Sequence, residues 1–117
     1  MITLANIAEA DLQEVFNQAA KHLLTQNRKS MLYPINLSAI SCAYRSPDGL
    51  KCGAGIFISD EEYKESMEGV AIESLLPICP AQPLLARIQD VHDNFEVEEW
   101  PHQLDRAAKS FGFEPYR

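Results

Sequence analysis

One apolar stripe near the start of the chain constrains the fold more than any other feature of the sequence. Its residues recur three and four positions apart, which is the pattern of one helix face. They are Leu12, Val15, Phe16, Ala19, Ala20, Leu23 and Leu24. Asn6 and Glu9 have the spacing of a capping box, so the sequence predicts a helix over residues 7–26. The apolar face of this helix needs other elements to cover it.

Two further stripes predict helices late in the chain. Residues 83–94 begin with Pro83, a residue that suits the first helical position. Residues 101–111 are followed by Gly112, which can adopt the left-handed conformation that ends a helix. Trp100 is in phase with the apolar stripe of this last helix and is predicted to lie in the core. We expect the first helix to pack against the helix at 83–94, because neither apolar face is stable in water.

The middle of the chain contains a turn signal between two short candidate strands. In residues 46–49, Ser-Pro-Asp-Gly, the proline presets φ and the glycine can adopt a positive φ. If Ser46 pairs with Leu50 across this turn, Cys42 and Cys52 lie on one face of a hairpin. The small and then bulky apolar residues of 52–58 favour a strand or a tight helix packed closely against another backbone.

These elements together predict an α+β fold. The expected architecture is one mostly helical domain, residues 1–117, with three main helices and a short acidic helix over residues 60–68. A small β-hairpin around residues 41–58 completes it.

Charge and cysteine content limit the class of partner. Seventeen Asp and Glu residues against ten Lys and Arg residues give a net charge of −7, the wrong sign for binding a nucleic-acid backbone directly. Three cysteines do not make the disulfide framework of a small secreted domain. No export signal or membrane-spanning run is visible. We therefore expect a cytoplasmic protein with no membrane partner.

The sequence offers little catalytic chemistry. The Cys and His spacings match no metal site, and no complete nucleotide-binding glycine motif is present, so no catalytic residue, metal or cofactor is predicted. The only arrangement typical of a nucleophile is Cys52 with His92, oriented by Asp90 or Asp93. A small thiol-dependent enzyme is therefore the alternative to a binding protein.

A pattern across the middle of the chain resembles a group of small uncharacterised bacterial and bacteriophage proteins. The pattern is C-x-Y-R-x-x-D-G-x-K-C-A-x-G, then D-E-x-Y, then M-E-G. It corresponds here to residues 42–55, 60–63 and 67–69, with Gly53 in place of the alanine. The resemblance implies a phage or prophage setting and no catalytic residue.

The sequence favours a small acidic accessory protein that acts by binding another protein, such as a basic, host-encoded factor. The predicted contact residues are the carboxylates of residues 60–68 and two residues near the turn. They are Asp60, Glu61, Glu62, Glu65, Glu68, Arg45 and Asp48. A further alternative is an acidic decoy that occupies the nucleic-acid-binding surface of a partner, which requires carboxylates at phosphate-like spacing along one face.

Overall fold

The first helix begins later than the sequence predicts. A computed structural model describes residues 2–32, 41–76 and 78–116, and in it helix α1 spans Leu12–Gln26. Asp11 caps this helix, since its carboxylate accepts the Glu14 N–H at 3.3 Å. The predicted start at residue 7 is wrong because Ala10 is extended, with φ −76° and ψ 151°, and isolates a single 3₁₀ turn at Ile7–Glu9. The predicted end is confirmed: Asn27 adopts φ 53° and its N–H closes the last turn.

Three more α-helices follow within the described ranges. They are α2, Ile72–Leu75, α3, Ala81–Asn94, and α4, Trp100–Phe111. Helix α3 starts two residues before Pro83, which still lies in the first turn, where its missing N–H leaves no helical hydrogen bond unmade. Helix α4 ends as predicted at Gly112, whose φ is 75°.

The core forms where α1, α3 and α4 meet. Each of these helices packs against the other two, so the predicted packing of the first helix on α3 is confirmed. Phe16 of α1, Ile88 of α3 and Trp100 of α4 are all fully buried. None of the described helices combines the length and the apolar composition that crossing a membrane requires.

The predicted α+β class, with a hairpin around residues 41–58, is wrong. The described residues are mostly helical, and their strand pairing is limited to β1, Met31–Leu32, against β2, Ser41–Cys42, with one isolated bridge between Arg45 and Lys51. The turn itself is present, since the Ser46 N–H donates to the Leu50 carbonyl at 2.9 Å. The pairing stops there because small residues follow, which give a pleated strand little to pack.

Residues 52–58 form the central segment of the fold. All seven are buried, and Gly55–Phe57 is a 3₁₀ turn, the tight helix that the sequence left open as one possibility. The Gly55 N–H points to the Cys52 sulfur, 3.2 Å away, and not to a neighbouring strand. The prediction that Cys42 and Cys52 share one face lies outside the described residues, because the structure does not describe the Cys42 side chain.

The predicted acidic helix over residues 60–68 is also wrong. A turn follows Ser59, Lys64 is extended, and a single 3₁₀ turn spans Glu65–Met67. In a helix, Glu61 and Glu65 would be like charges four residues apart, which disfavours the helix, and no apolar stripe compensates. Residues 59–68 are called the acidic loop below.

Candidate functional site

Arg45 fastens the start of the acidic loop to the core. Its Nη2 donates to the Ile58 carbonyl at 2.8 Å and lies 2.8 Å from the Asp60 carboxylate. The guanidinium also lies over the Tyr63 ring, 4.7 Å from the centroid, in a cation–π contact. The Arg45 side chain is only 20% exposed while that of Asp60 is 89% exposed, so the arginine is the structural member of this pair.

Glu68 fastens the other end of the loop. Its carboxylate accepts the backbone N–H groups of Tyr44, at 2.9 Å, and Arg45, at 3.1 Å. The Tyr63 hydroxyl donates to the same carboxylate at 2.7 Å. Burial, and then the bond to Glu68, raise the pKa of Tyr63 to about 12, so this phenol keeps its donor proton at neutral pH.

The three parts of the sequence pattern therefore meet in one contact network. Tyr44 and Arg45 come from the first part, Tyr63 from the second and Glu68 from the third. The Tyr44 hydroxyl adds a short hydrogen bond to the Val70 carbonyl. Residues at positions of the pattern therefore hold the acidic loop in place.

The predicted contact residues divide into two groups in the structure. Arg45, Asp60 and Glu68 are used in the anchors, and Glu62 accepts the Ser59 N–H at 2.9 Å within the loop. By contrast, Glu61 and Glu65 are exposed, and their carboxylates form no hydrogen bond or ion pair within the described residues.

A cleft of about 490 Å³ separates the turn from the acidic loop. It brings together three of the predicted residues, Arg45, Glu65 and Glu68, and its wall includes Tyr63 and Pro47. Tyr63 was not among the predicted contact residues, although it binds both Arg45 and Glu68. Its position in the D-E-x-Y part of the sequence pattern was a signal that could have identified it.

Asp48, the remaining predicted contact residue, serves the turn. Its carboxylate accepts a short hydrogen bond from the Ser46 hydroxyl, and this bond lowers the pKa of Asp48. The Ser46 hydroxyl oxygen also accepts the Leu50 N–H at 3.0 Å. The local role of Asp48 is therefore to close the turn.

The thiol of Cys52 is buried in the core. Its side chain is fully excluded from solvent, and the Gly55 N–H lies 3.2 Å from the sulfur. Burial raises the pKa of this thiol to about 12. A catalytic cysteine needs the opposite, a lowered pKa and access to substrate.

His92 is also buried, and both of its ring nitrogens are already hydrogen-bonded. Nδ1 donates to the Asp93 carboxylate at 2.7 Å and Nε2 accepts the Ser30 N–H at 3.0 Å. The ring stacks on Trp100 with centroids 5.5 Å apart. Asp90 bonds to Asn94 at 2.6 Å. Cys52 and His92 therefore do not form the nucleophile and base pair that the enzyme alternative requires.

No group of three or more His, Cys, Asp or Glu side chains in the described part of the chain is arranged to hold a metal ion.

The state of Cys52 gives the first prediction. At pH 8, iodoacetamide should modify Cys52 on the order of a thousandfold more slowly in the folded protein than in urea, because the raised pKa leaves little thiolate. Peptide mass spectrometry over a time course measures this rate for each cysteine. Cys79, which is partly exposed, serves as the internal comparison and should react before Cys52. Native modification of Cys52 as fast as that of Cys79 would contradict the burial and favour an activated thiol.

Comparison of the chain with models of protein families, with curated proteins and with solved structures finds no match. The roles given to residues here therefore rest on the geometry of this chain. The resemblance to small bacterial and bacteriophage proteins stays a prediction.

Proposed function

We propose that this protein acts by binding a basic surface of a partner protein through its acidic loop. The observation that carries the proposal is that two kinds of charged residue occur at the loop. Arg45 and Glu68 hold the loop to the core, while Glu61 and Glu65 are exposed and form no hydrogen bond or ion pair within the described residues. The loop contains five carboxylates and one lysine, a local charge of −4. Such a charge steers a basic partner toward the loop before contact.

The anchors support binding because they fix the carboxylates in advance. A flexible acidic segment loses conformational freedom on binding, and this loss weakens the complex. The hydrogen bonds of Glu68 to two backbone N–H groups reduce that loss for the neighbouring Glu65. In this proposal Glu61 and Glu65 contact the partner, while Arg45, Asp60 and Glu68 position the loop.

The proposed setting follows from the sequence. The sparse cysteines favour the cytoplasm, and the resemblance implies a phage or prophage setting, in which the proposed partner is a host-encoded protein. The thiol-enzyme alternative gains no support from the buried Cys52 and the fully bonded His92.

The test is a charge reversal on the loop. Once a partner has been captured from host lysate and purified, Glu61→Lys with Glu65→Lys should slow association at low salt by about tenfold or more, and change dissociation less. Stopped-flow or surface-binding kinetics measure both rates. The reversal should leave the thermal midpoint nearly unchanged, since both side chains are exposed.

The matched control has the same change in net charge elsewhere. Glu9 and Glu114 are exposed and lie outside the loop, so Glu9→Lys with Glu114→Lys should change association less than about twofold. Equal slowing by both pairs would reduce the effect to net charge, and no slowing by the loop variant would remove the loop from the interface. A silent loop variant together with an inactive Cys52→Ser variant would favour the enzyme. Release of nucleic acid from the partner on binding would identify the decoy mode.

A further inference from the structure

A second candidate site lies away from the acidic loop, between α1 and the turn at residues 46–51. It is a groove of about 530 Å³, within the usual size of a small-molecule site. Its walls include Lys21, His22 and Thr25 from α1, and Lys51 and Ile56 from the segment that follows the turn. The groove therefore offers several hydrogen-bond donors and one apolar surface.

The floor of this groove is fixed by hydrogen bonds between the helix and the turn. The His22 Nε2–H and a Gln26 amide N–H both donate to the Lys51 carbonyl, at 2.9 and 2.8 Å. The Lys51 N–H donates in return to the Gln26 side-chain oxygen at 3.0 Å. These bonds fix the backbone of Lys51, and its ammonium group forms no hydrogen bond or ion pair within the described residues. His22 likewise keeps Nδ1, which has no hydrogen-bond partner among the described residues.

The groove is cationic although the protein is acidic. From residue 15 to residue 47 the sequence contains no Asp or Glu, although the chain as a whole has 17. Lys21 and Lys51 line the groove, and no carboxylate of the described residues does. Asp48, in the adjoining turn, is hydrogen-bonded to Ser46. The net charge of the chain is −7, yet the residues that line this groove are positively charged or neutral.

We propose that the groove binds a small anion that carries a phosphate or carboxylate group. The ammonium groups of Lys21 and Lys51 provide the charge, and the Thr25 hydroxyl provides a hydrogen bond. The His22 Nδ1 donates a second hydrogen bond once the bound anion has brought a proton onto the ring. The apolar part of the ligand packs against Ile56. This site shares no lining residue with the cleft at the acidic loop, so the two proposals are tested separately.

His22 reports on occupancy of the groove. Burial lowers the pKa of His22, the bond to the Lys51 carbonyl opposes that effect, and electrostatic interactions, that with Lys51 first, lower the pKa further. A bound anion next to the ring favours the charged imidazolium and should raise this pKa. His102 is exposed on α4 and provides an internal reference.

The experiment is an NMR titration of the histidine ring protons. The probes are inorganic phosphate, adenosine monophosphate and citrate, each compared with sodium chloride at the same ionic strength. We expect saturable shifts and a pKa rise of about half a unit or more at His22 with the anions, and no matching change at His102. A larger response to the two phosphate compounds than to citrate would identify a phosphate ligand, and the reverse order would identify a carboxylate ligand.

Variants test the two lysines. Lys21→Gln with Lys51→Gln should weaken binding at least about tenfold, whereas the control Lys64→Gln with Lys109→Gln should change it less than about twofold. Lys21 is exposed, so Lys21→Gln alone is the fallback if the double variant does not fold. Equal responses of His22 and His102, no saturation, or equal weakening by both variant pairs would each overturn the proposal.

Discussion

Replacing Gly55 with alanine is expected to destabilise the protein by about 3 kcal/mol or more. A Cβ at this position would lie well inside contact distance of the Tyr44 carbonyl group. The obstacle is backbone, so no change of rotamer relieves it. Tyr44 is also held in place, since its N–H is bonded to Glu68 and its hydroxyl to Val70. The chain must therefore move at the centre of the fold.

Gly53→Ala is the matched control. The Cβ added there meets Cγ2 of the buried Ile88 side chain, and the next nearest atom, a Leu23 methyl, lies at 3.4 Å. This obstacle is a side chain of α3 and not backbone, so a small shift of the Ile88 side chain and its helix relieves it, and we expect a cost of about 1–2 kcal/mol. Urea unfolding followed by circular dichroism measures both. Equal losses for the two variants would contradict the close approach at Gly55.

Removing the Glu68 carboxylate should have the second largest effect. Glu68→Ala leaves the Tyr44 and Arg45 N–H groups and the Tyr63 hydroxyl without their acceptor, and we expect a loss of about 2–4 kcal/mol. Tyr63→Phe removes one of the three bonds and should cost about 1 kcal/mol. Chemical denaturation measures both losses.

Glu65→Ala is the control for Glu68. Its carboxylate is exposed and forms no hydrogen bond within the described residues, so its loss should stay within about 0.5 kcal/mol. Hydrogen exchange adds a local readout, because the Tyr44 and Arg45 amides should lose protection in Glu68→Ala alone. Similar results for the two glutamates would contradict the anchoring role of Glu68.

The helices were predictable because burial repeats with the helix period. The stripes of α1, α3 and α4 follow from residues three and four apart, and the packing of α1 on α3 follows from their apolar faces. The first boundary was not predictable with the same ease, since Asn6 and Asp11 both suit a cap and the choice depends on the extended Ala10.

The hairpin prediction failed at a point where local and distant contacts compete. The turn at Ser46 depends on local chemistry and is present, but a strand also needs a partner along its whole length. Residues 52–58 instead enter the core, where Gly55 lies against Tyr44. That contact depends on the whole fold and no sequence period reveals it.

The sequence predicted which residues belong to the candidate site but not what each of them does there. Arg45 and Glu68 belong to the predicted contact set, yet they bond across 23 positions of sequence and act as anchors. Their charge alone does not distinguish a residue that contacts a partner from one that holds a loop. Burial makes that distinction, and spacing along the chain does not provide it.

We expect the acidic loop to open more easily than the rest of the fold. None of its residues is buried, and its apolar contacts with the core come from Tyr63 and Met67. Release of the Arg45 and Glu68 contacts would free residues 59–68 with the loss of the Tyr63 and Met67 contacts, while α1, α3 and α4 stay packed on one another. Such partial opening costs less free energy than global unfolding, so the loop should exchange amide hydrogens and meet proteases, at Lys64 for trypsin, well before the helices do. A partner that holds the closed loop would therefore be detectable as protection of this one peptide.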